Sequence, residues 1–343
     1  MIPGLAQATR LKTKVRRLSR RIDPRTRVFL DRGNGPEQTV IVAGAGRGGT
    51  TWVADIVNFR NHFRLMFEPF NCRKVSLVQD FSLRQYIRPD DPAPQFLETV
   101  RRVLSGRVRS TWIDRYNRKM LSSERLIKDI RINLFLKWVK KNFPKTWIIL
   151  VLRHPCAVAD SRLRAGWQPH LTSFLEQPQL MEEFLGPFES LLHSVSEPFQ
   201  KHVTMWCVEN YVPLRQLEEQ DALIVLYEHL CTDFQNQARM LLDYTGQSFD
   251  SRVNKIAKTP SLTCTNNSAI TMGKRPLDAW IYRVTEDQTR AAMQILSLFG
   301  LDRIYGPSPW PRVTTGQDVF KLQWQDGLID GPQPMSHYRG STT

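Results

Sequence analysis

The segment TVIVAGAGRGGTTW, residues 39–52, predicts the first unit of the fold. An apolar run at residues 40–42 is followed at once by a cluster of glycines, and residues 51–59 then have the spacing of a helix. A strand, a glycine-rich turn and a helix in this order leave backbone N–H groups and the positive end of the helix dipole facing the turn. The segment therefore indicates a binding site for a phosphate-type anion.

The glycines of this turn fit two general patterns of phosphate binding. Gly44, Gly46 and Gly49 have the G-x-G-x-x-G spacing of dinucleotide-binding proteins, and Glu68 follows at about the distance of the acid that binds ribose. Gly44 and Gly49 also have the spacing of the ATP-binding P-loop, but Thr50 stands in place of its lysine. Because that lysine bridges the β and γ phosphates, its absence argues against ordinary phosphoryl transfer from a nucleoside triphosphate.

Strand and helix signals alternate along the rest of the chain. Short strands are predicted at residues 63–67 and 126–129, and continuous apolar runs, typical of strands buried on both faces of a parallel sheet, predict strands at residues 147–152 and 222–226. Helical spacing predicts helices at residues 96–104, 132–143, 203–217, 234–245 and 285–299, and another that begins at Pro155. The alternation predicts a three-layer α/β domain in which helices flank a central, mostly parallel sheet, in a P-loop-like arrangement.

The composition excludes several classes of protein. A chain of 343 residues with 41% hydrophobic and 24% charged residues is neither collagen-like nor a coiled coil nor wholly disordered. The longest apolar runs, at residues 147–152 and 222–227, are too short to cross a bilayer, and the first residues lack the apolar region of a signal peptide. We therefore expect a cytoplasmic location. The five cysteines, odd in number and without a C-x-x-C pair, disfavour a disulfide framework or a cysteine-based zinc site.

The net charge of +15 is concentrated near the amino terminus. Residues 1–28 contain nine lysines and arginines and one aspartate, and so contribute +8 of it. We interpret residues 1–37 as a basic arm, residues 38–311 as the α/β domain and residues 312–343 as a tail. The arm could contact an anionic surface, and a non-catalytic protein that binds polyanions therefore stays open as an alternative function. We expect no nucleic acid partner.

The loop RGGTTW, residues 47–52, resembles the 5′-phosphosulfate loop of the sulfotransferases that use 3′-phosphoadenosine 5′-phosphosulfate (PAPS). That loop has, in order, Lys or Arg, a small residue, Gly, Ser or Thr, Thr, and often Trp. The family also places an arginine at a strand end and a serine eight residues later to hold the 3′-phosphate, and Arg153 and Ser161 have this spacing. An arginine fork with an added hydroxyl donor suits a phosphate dianion. A structural pair of Arg153 with Asp160 is the alternative.

Two shorter segments also resemble parts of the family's nucleotide site. YEHL, residues 227–230, is similar to a Tyr-Glu-Asp-Leu stretch at a strand end, and it could equally be a packing element. GKRP, residues 273–276, is similar to a late basic loop that closes over the nucleotide, and a solvated turn is the alternative. The nucleotide contacts that the resemblance implies are Arg47, Gly48, Gly49, Thr50, Thr51, Trp52, Arg153, Ser161, Lys274 and Arg275.

Sulfuryl transfer needs charge stabilisation on the departing phosphate, an aligned acceptor and a base for the acceptor's proton. The resemblance implies that Arg47 and Lys128 stabilise the charge. It implies Glu68 as the base, because Ile130 stands near the position where cytosolic members of the family have a histidine. We expect apolar neighbours to raise the pKa of Glu68 toward neutrality. Asp129 is the alternative base, and a helix-cap or ion-pair carboxylate is the alternative role of Glu68.

A glutamate base resembles the Golgi-type carbohydrate and tyrosyl sulfotransferases, and the sequence Phe-Glu-Pro at residues 67–69 is similar to Tyr-Glu-Pro of the carbohydrate enzymes. The acceptor that this resemblance implies is a glycan or a small hydroxylated molecule. We therefore predict a PAPS-dependent sulfotransferase that acts on a hydroxyl of a carbohydrate or glycan, with residues 70–125 and 163–201 shaping the acceptor site. Cationic side chains would act in place of a metal, and no histidines have metal-ligand spacing. A P-loop phosphotransferase or nucleotide kinase that acts without the usual lysine is the alternative enzyme.

Overall fold

The computed structural model describes residues 30–31, 35–257, 277 and 279–322. A five-stranded sheet lies at the centre of this part of the chain, and each neighbouring pair of its strands is parallel. The strands are β1 Leu30–Asp31, β2 Thr39–Gly44, β3 Arg64–Phe67, β4 Leu121–Ser122, β5 Arg125–Lys128, β6 Trp147–Leu152 and β7 Leu223–Leu226. The central sheet has the order β3-β5-β2-β6-β7, while β1 and β4 form a separate parallel pair.

The central sheet is buried on both faces. Alternate residues of β2 contribute to different apolar clusters, since Ile41 and Ala43 belong to one cluster and Val40 and Val42 to the other. Every residue of β2 and of β7 is buried. Apolar runs without alternation predicted this arrangement, because both side-chain directions of such a strand point into a core. The predicted three-layer α/β fold is therefore confirmed.

Helices follow the strands of the central sheet and cover its two faces. They are α1 Thr50–Val57, α2 Pro94–Leu104, α3 Leu136–Asn142, α4 Pro155–Arg164, α5 Thr172–Leu175, α6 Pro178–Leu180, α7 Glu189–Ser194, α8 Pro198–Gln216, α9 Tyr227–Thr232, α10 Phe234–Tyr244, α11 Asn254–Ala257 and α12 Glu286–Leu298. The helix predicted at residues 132–143 starts as a 3₁₀ turn at Asn133–Phe135 and continues as α3. The helix predicted from residue 203 begins earlier, at Pro198, because proline suits a first helical position.

The end of the described chain packs on the sheet, although we predicted a tail from residue 312. A 3₁₀ turn at Gln317–Lys321 lies beside the edge strand β7. There the Ile224 N–H donates to Gln317 Oε1 over 2.9 Å, and Val319 is fully buried. This contact satisfies a backbone group that an edge strand would otherwise leave exposed. The folded part therefore extends at least to residue 322.

At the other end, the predicted arm also contributes to the fold. Leu30–Asp31 pairs in parallel with Leu121–Ser122, so these two residues of the region 1–37 belong to a strand. Nowhere in the described chain is a helix both long and apolar enough to span a bilayer. Within the same residues, no three side chains of His, Cys, Asp or Glu lie together as a metal site would require.

Candidate active site

Predicted functional residues that follow four strands lie at the carboxyl edge of the central sheet. Lys128 ends β5 and is level with the last residue of β3, so Glu68 follows directly beside it. Gly44 ends β2, which is the next strand of the sheet, and Arg153 follows β6 on the far side of β2. Open parallel sheets bind their ligands at this edge, where the strand order reverses. The fold therefore gathers residues from four strand ends into one region.

The glycine loop turns the chain sharply from β2 into helix α1. A hydrogen bond of 2.8 Å from the Gly48 N–H to the Ala45 carbonyl closes the turn, and Arg47 (φ +73) and Gly49 (φ +97) have left-handed backbone conformations. A left-handed arginine is uncommon, and such a conformation persists where the surrounding contacts impose it. Residues 50–51 begin helix α1 with buried side chains, and the first N–H groups of a helix have no partner within it. The turn therefore offers backbone donors to an anion.

The residues predicted to hold the two phosphate groups of the nucleotide lie together. Arg47 Nε donates to Ser161 Oγ over 3.0 Å, and Arg153 Nη1 donates to the Arg47 carbonyl over 3.1 Å. The guanidinium carbon of Arg153 lies 4.2 Å from the centre of the Tyr227 ring, a cation–π distance. The glycine loop and the segment after β6 are thus in direct contact through Arg47 and Arg153.

Asp160, the alternative partner of Arg153, is bound by a different arginine. Its carboxylate accepts hydrogen bonds from Arg283 at 2.7 and 3.0 Å, which joins helix α4 to the segment that precedes α12. Lys274 and Arg275, predicted to close over the nucleotide, lie outside the described residues. Their contacts with the nucleotide therefore stay predictions.

Trp52 was predicted among the nucleotide contacts, but the structure gives its side chain a packing role. Its ring is buried against Tyr227 and Phe234, with ring centroids 5.6 and 5.8 Å apart. Its backbone N–H donates to the Gly49 carbonyl over 2.9 Å within the first turn of α1. These contacts hold α1 against the core, and the contact of Trp52 with the nucleotide stays a prediction.

Glu228, in the YEHL segment, holds the chain immediately after Arg153. Its Oε1 accepts the His154 backbone N–H over 2.9 Å, and its Oε2 accepts the Tyr305 hydroxyl over 2.8 Å. The carboxylate is buried, and burial raises its pKa. Because both oxygens are used inside the core, the YEHL segment acts as a packing element that supports the end of β6.

His154 closes the same end of the core with a neutral imidazole. Its Nδ1 accepts the Cys156 N–H over 3.2 Å, which assigns the ring proton to Nε2, 2.9 Å from the Gly306 carbonyl. The ring stacks on Trp280 with centroids 4.4 Å apart. Burial lowers the pKa of His154 to about 4. The imidazole therefore stays neutral in the folded protein over most of the range in which an exposed histidine would gain a proton.

The buried imidazole predicts that the protein loses stability in mild acid. Between pH 6.5 and 4 the unfolded chain protonates His154 and the folded protein does not, so the free energy of unfolding falls as the pH falls. With a pKa of about 4 in the folded protein and about 6.5 in the unfolded chain, the free energy of unfolding falls by about 2 kcal/mol between pH 7 and pH 5. We expect His154→Gln to be less stable at pH 7 but to lack this part of the slope, as measured by urea unfolding at several pH values.

The matched control is His193→Gln, because the His193 side chain is exposed. We expect this variant to keep the pH dependence of the unmodified protein. If the free energy of unfolding of His154→Gln falls with pH as steeply as that of the control, His154 is not the group responsible.

Glu68 is a buried carboxylate between two cations. Lys128 Nζ donates to Oε1 and Arg131 Nη1 donates to Oε2, each over 2.7 Å. Its backbone has a φ of +44, and the indole N–H of Trp112 donates to its carbonyl over 3.2 Å. Burial raises the pKa of Glu68, but the charges of Lys128 and Arg131 outweigh burial, and the pKa lies below its usual value. The expectation that apolar neighbours would raise this pKa is therefore wrong, because it left out the ion pairs with Lys128 and Arg131.

Asp129, the alternative base, is occupied by backbone groups. Its Oδ2 accepts the Phe70 N–H and its Oδ1 accepts the Arg131 N–H, each over 2.8 Å. The residue is fully buried, and burial raises the pKa of its carboxyl to about 6. Asp129 therefore ties the turn after β3 to the turn after β5, and its role as the alternative base stays a prediction.

The sequence analysis missed Arg131 and gave Tyr227 no role of its own. Arg131 bonds to Glu68, and Tyr227 lies against both Arg153 and the glycine loop. The signal for Arg131 was a cation shortly after a strand end, at the edge where ligands bind. That signal is weak, because solvated arginines are common in such turns.

An α/β domain with a glycine loop at a helix start and arginines at the carboxyl edge of a parallel sheet belongs to the proteins that bind nucleotides or other phosphates. The family of the Sulfotransferase domain matches residues 37–276, which is more than half of the chain. The chain therefore belongs to the sulfotransferase family. The predicted PAPS-dependent sulfotransferase is confirmed at the level of the family, and the P-loop kinase alternative no longer applies.

Solved structures of other sulfotransferases are similar to this chain. A sulfotransferase domain from a Synechococcus olefin synthase is 16% identical, with a TM-score of 0.45, and the match covers 79% of this chain and 96% of that one. A sulfotransferase from Mycobacterium avium is 13% identical, with a TM-score of 0.43 and coverage of 80% and 78%. A mouse sulfotransferase complexed with PAP is 16% identical, with a TM-score of 0.39 and coverage of 79% and 87%. No curated protein matches the chain.

Proposed function

We propose that this sulfotransferase moves the sulfuryl group of PAPS to a hydroxyl of a carbohydrate or glycan, with Glu68 as the base. One observation carries the proposal: Glu68 and Lys128 lie at the same sheet edge as Arg47 of the glycine loop and Arg153 after β6. A carboxylate and an ammonium beside a site with two arginines are the parts that sulfuryl transfer needs. A glutamate in the place of a base, rather than a histidine, supports a carbohydrate acceptor.

The donor end of the site suits a nucleotide with two separate anionic groups. Arg47 and the first N–H groups of α1 would hold the 5′ group, and Arg153 with Ser161 would hold the 3′-phosphate. Guanidinium groups bind phosphate oxygens with two parallel hydrogen bonds, which suits both positions. When bound, PAPS would supply the sulfuryl group, and the leaving group would be 3′-phosphoadenosine 5′-phosphate.

Lys128 is placed to control the basicity of Glu68. Each carboxylate oxygen has a second lone pair, so an acceptor hydroxyl can donate to Glu68 while Lys128 and Arg131 remain bound to it. A turn of Lys128 toward negative oxygens at the donor end removes one of the two cations that lower the pKa of Glu68. The pKa then rises, because opposite charges nearby favour the ionised form. Glu68 therefore becomes a better base when Lys128 is engaged elsewhere.

Calorimetric titration of the unmodified protein tests the donor site. We expect 3′-phosphoadenosine 5′-phosphate (PAP) to bind at least about tenfold more tightly than AMP, ATP or NAD, since only PAP offers a 3′-phosphate to Arg153. Equal affinities for PAP and AMP would contradict the site.

Transfer of labelled sulfate from PAPS to a panel of sugars and simple phenols tests the acceptor. Transfer to phenols but to no sugar would overturn the carbohydrate assignment alone.

Gly49 is expected to tolerate no side chain. Its φ is +97, and a Cβ atom there would lie 2.4 Å from Cδ2 of the Tyr227 ring. Gly49→Ala must therefore shift the loop, and we expect the affinity for PAP to fall by at least about tenfold, measured by calorimetry below the unfolding temperature. Gly166→Ala is the control, because Gly166 also has a positive φ of +68 but has no atom within 4 Å of such a Cβ. Equal affinities of the two variants would contradict the role of the loop shape.

A further inference from the structure

Helix α8 carries a carboxylate in the middle of its buried face. Glu209 is 0% exposed and follows the apolar residues 205–208. Its Oε1 accepts a hydrogen bond from Arg84 and its Oε2 accepts one from Arg162. Burial raises the pKa of Glu209, but the charges of Arg162 and Arg84 outweigh burial and lower it. Because a buried ion cluster is often no more stabilising than apolar side chains of the same size, stability alone does not account for these residues.

The cluster is connected to the glycine loop at two points. Arg162, which is fully buried, donates from Nε to the Gly46 carbonyl over 3.0 Å. At the start of the loop, the Gly44 N–H donates to Asn133 Oδ1 over 3.2 Å, and Asn133 Nδ2 donates to the Glu209 carbonyl over 3.0 Å. Glu209 therefore supports the loop through its side chain and through its backbone.

The Gly46 carbonyl belongs to the peptide group that precedes Arg47. The orientation of this peptide sets the φ of Arg47, which is +73, and so sets the direction of the Arg47 side chain toward Ser161. A left-handed arginine needs contacts that impose its conformation. A hydrogen bond from a charged, buried donor is the strong kind of contact that can do so.

We propose that Arg162, held by Glu209, is a positioning residue of the donor loop. It keeps the peptide between Gly46 and Arg47 in the orientation that binds the 5′ group of the nucleotide. The inference rests on the proposed function, since it assigns that 5′ group to the loop. Arg162 lies fully buried behind the loop and acts through Gly46 and Arg47 rather than by touching the ligand.

Arg162→Lys tests the proposal, because lysine keeps the charge but has no fork that can bond to the Gly46 carbonyl and to Glu209 together. The control is Arg64→Lys. Arg64 is also fully buried, binds the Asp114 carboxylate and donates to a backbone carbonyl, but it lies at the start of β3, away from the loop. Both variants are expected to be less stable than the unmodified protein, and affinities are measured below their unfolding temperatures.

The probes are PAP and adenosine 3′-phosphate, which lacks the 5′-phosphate. We expect Arg162→Lys to weaken PAP binding at least about tenfold, and to change the affinity for adenosine 3′-phosphate less than about twofold. Arg64→Lys should change neither affinity more than about twofold. An equal loss for both ligands, or the same loss in Arg64→Lys, would overturn the positioning role. PAP affinity unchanged in Arg162→Lys would also overturn it.

A double-mutant cycle separates positioning from general damage. If Arg162 acts through Arg47, then Arg162→Lys should have little further effect on PAP affinity once Arg47→Ala is present. Additive losses would contradict the proposal. Glu209→Gln, which keeps the shape of the side chain, is the second variant. It should also weaken the binding of PAP more than the binding of adenosine 3′-phosphate. If the unmodified protein does not bind PAP more tightly than AMP, the proposed function itself is wrong. If it does, but the variants do not behave as expected, only the positioning role is wrong.

Discussion

Glu68→Gln is expected to lower turnover by about 10²–10⁴-fold, because glutamine cannot accept the proton of the acceptor hydroxyl. The affinity for PAP should stay the same or rise, since Lys128 and Arg131 lose the carboxylate that both now bind. Single-turnover sulfuryl transfer from PAPS, together with calorimetry, measures the two effects separately. A large loss of turnover with intact PAP binding is the signature of a base.

Glu124→Gln is the control for this substitution. Glu124 directly precedes β5, at the opposite end of the strand from Lys128, and its side chain is partly exposed. We expect its turnover to stay within about twofold of the unmodified protein. A turnover of Glu68→Gln within about threefold of the control would remove Glu68 as the base.

Arg153→Ala is expected to lower the affinity for PAP by about 10–100-fold, because a hydrogen-bonded guanidinium is lost from the 3′-phosphate. The affinity for AMP, which has no 3′-phosphate, should fall much less. The variant should therefore lose most of the preference for PAP over AMP that we expect of the unmodified protein. Competition calorimetry with the two ligands measures this preference directly.

Arg164→Ala controls for a general loss of positive charge. Arg164 ends helix α4, and its side chain is 37% exposed. We expect the PAP affinity of this variant to change less than about twofold, because exposed charges are screened by salt. If Arg153→Ala lowers the affinities for PAP and AMP equally, Arg153 does not bind the 3′-phosphate. Its role would then be to support the glycine loop through the Arg47 carbonyl, to which it donates in the structure.

Much of the sheet was predictable because several of its strands are short apolar runs. Residues 147–152, for example, have no polar member and form β6 over the same range. The start of α8 was less predictable. Glu197, Gln200 and Lys201 are polar, so a clear apolar spacing begins only at residue 203, after the helix has started. Helix boundaries are set by caps and by tertiary packing as well as by spacing, and a single sequence shows only part of this.

The candidate site was predictable where one residue type suits one chemical task at a strand end, as for Arg47, Glu68 and Arg153. Partnerships between distant residues were not predictable. The low pKa of Glu68 depends on Arg131, and no spacing rule joins these two positions across neighbouring strands. Glu209 did leave a signal, since a carboxylate that directly follows the apolar residues 205–208 needs a partner when it is buried, but the sequence does not say which arginine supplies it.

The hydrogen bonds of Tyr305 and Gly306 limit how far the chain can be truncated from its carboxyl end. Both residues lie beyond the family match, which ends at residue 276, yet they satisfy Glu228 and His154 beside Arg153. A fragment trimmed to the matched region would leave a carboxylate and an imidazole without these partners at the nucleotide end of the sheet. Truncated versions for crystallisation or engineering should therefore keep the residues through 322, which close the edge strand as well.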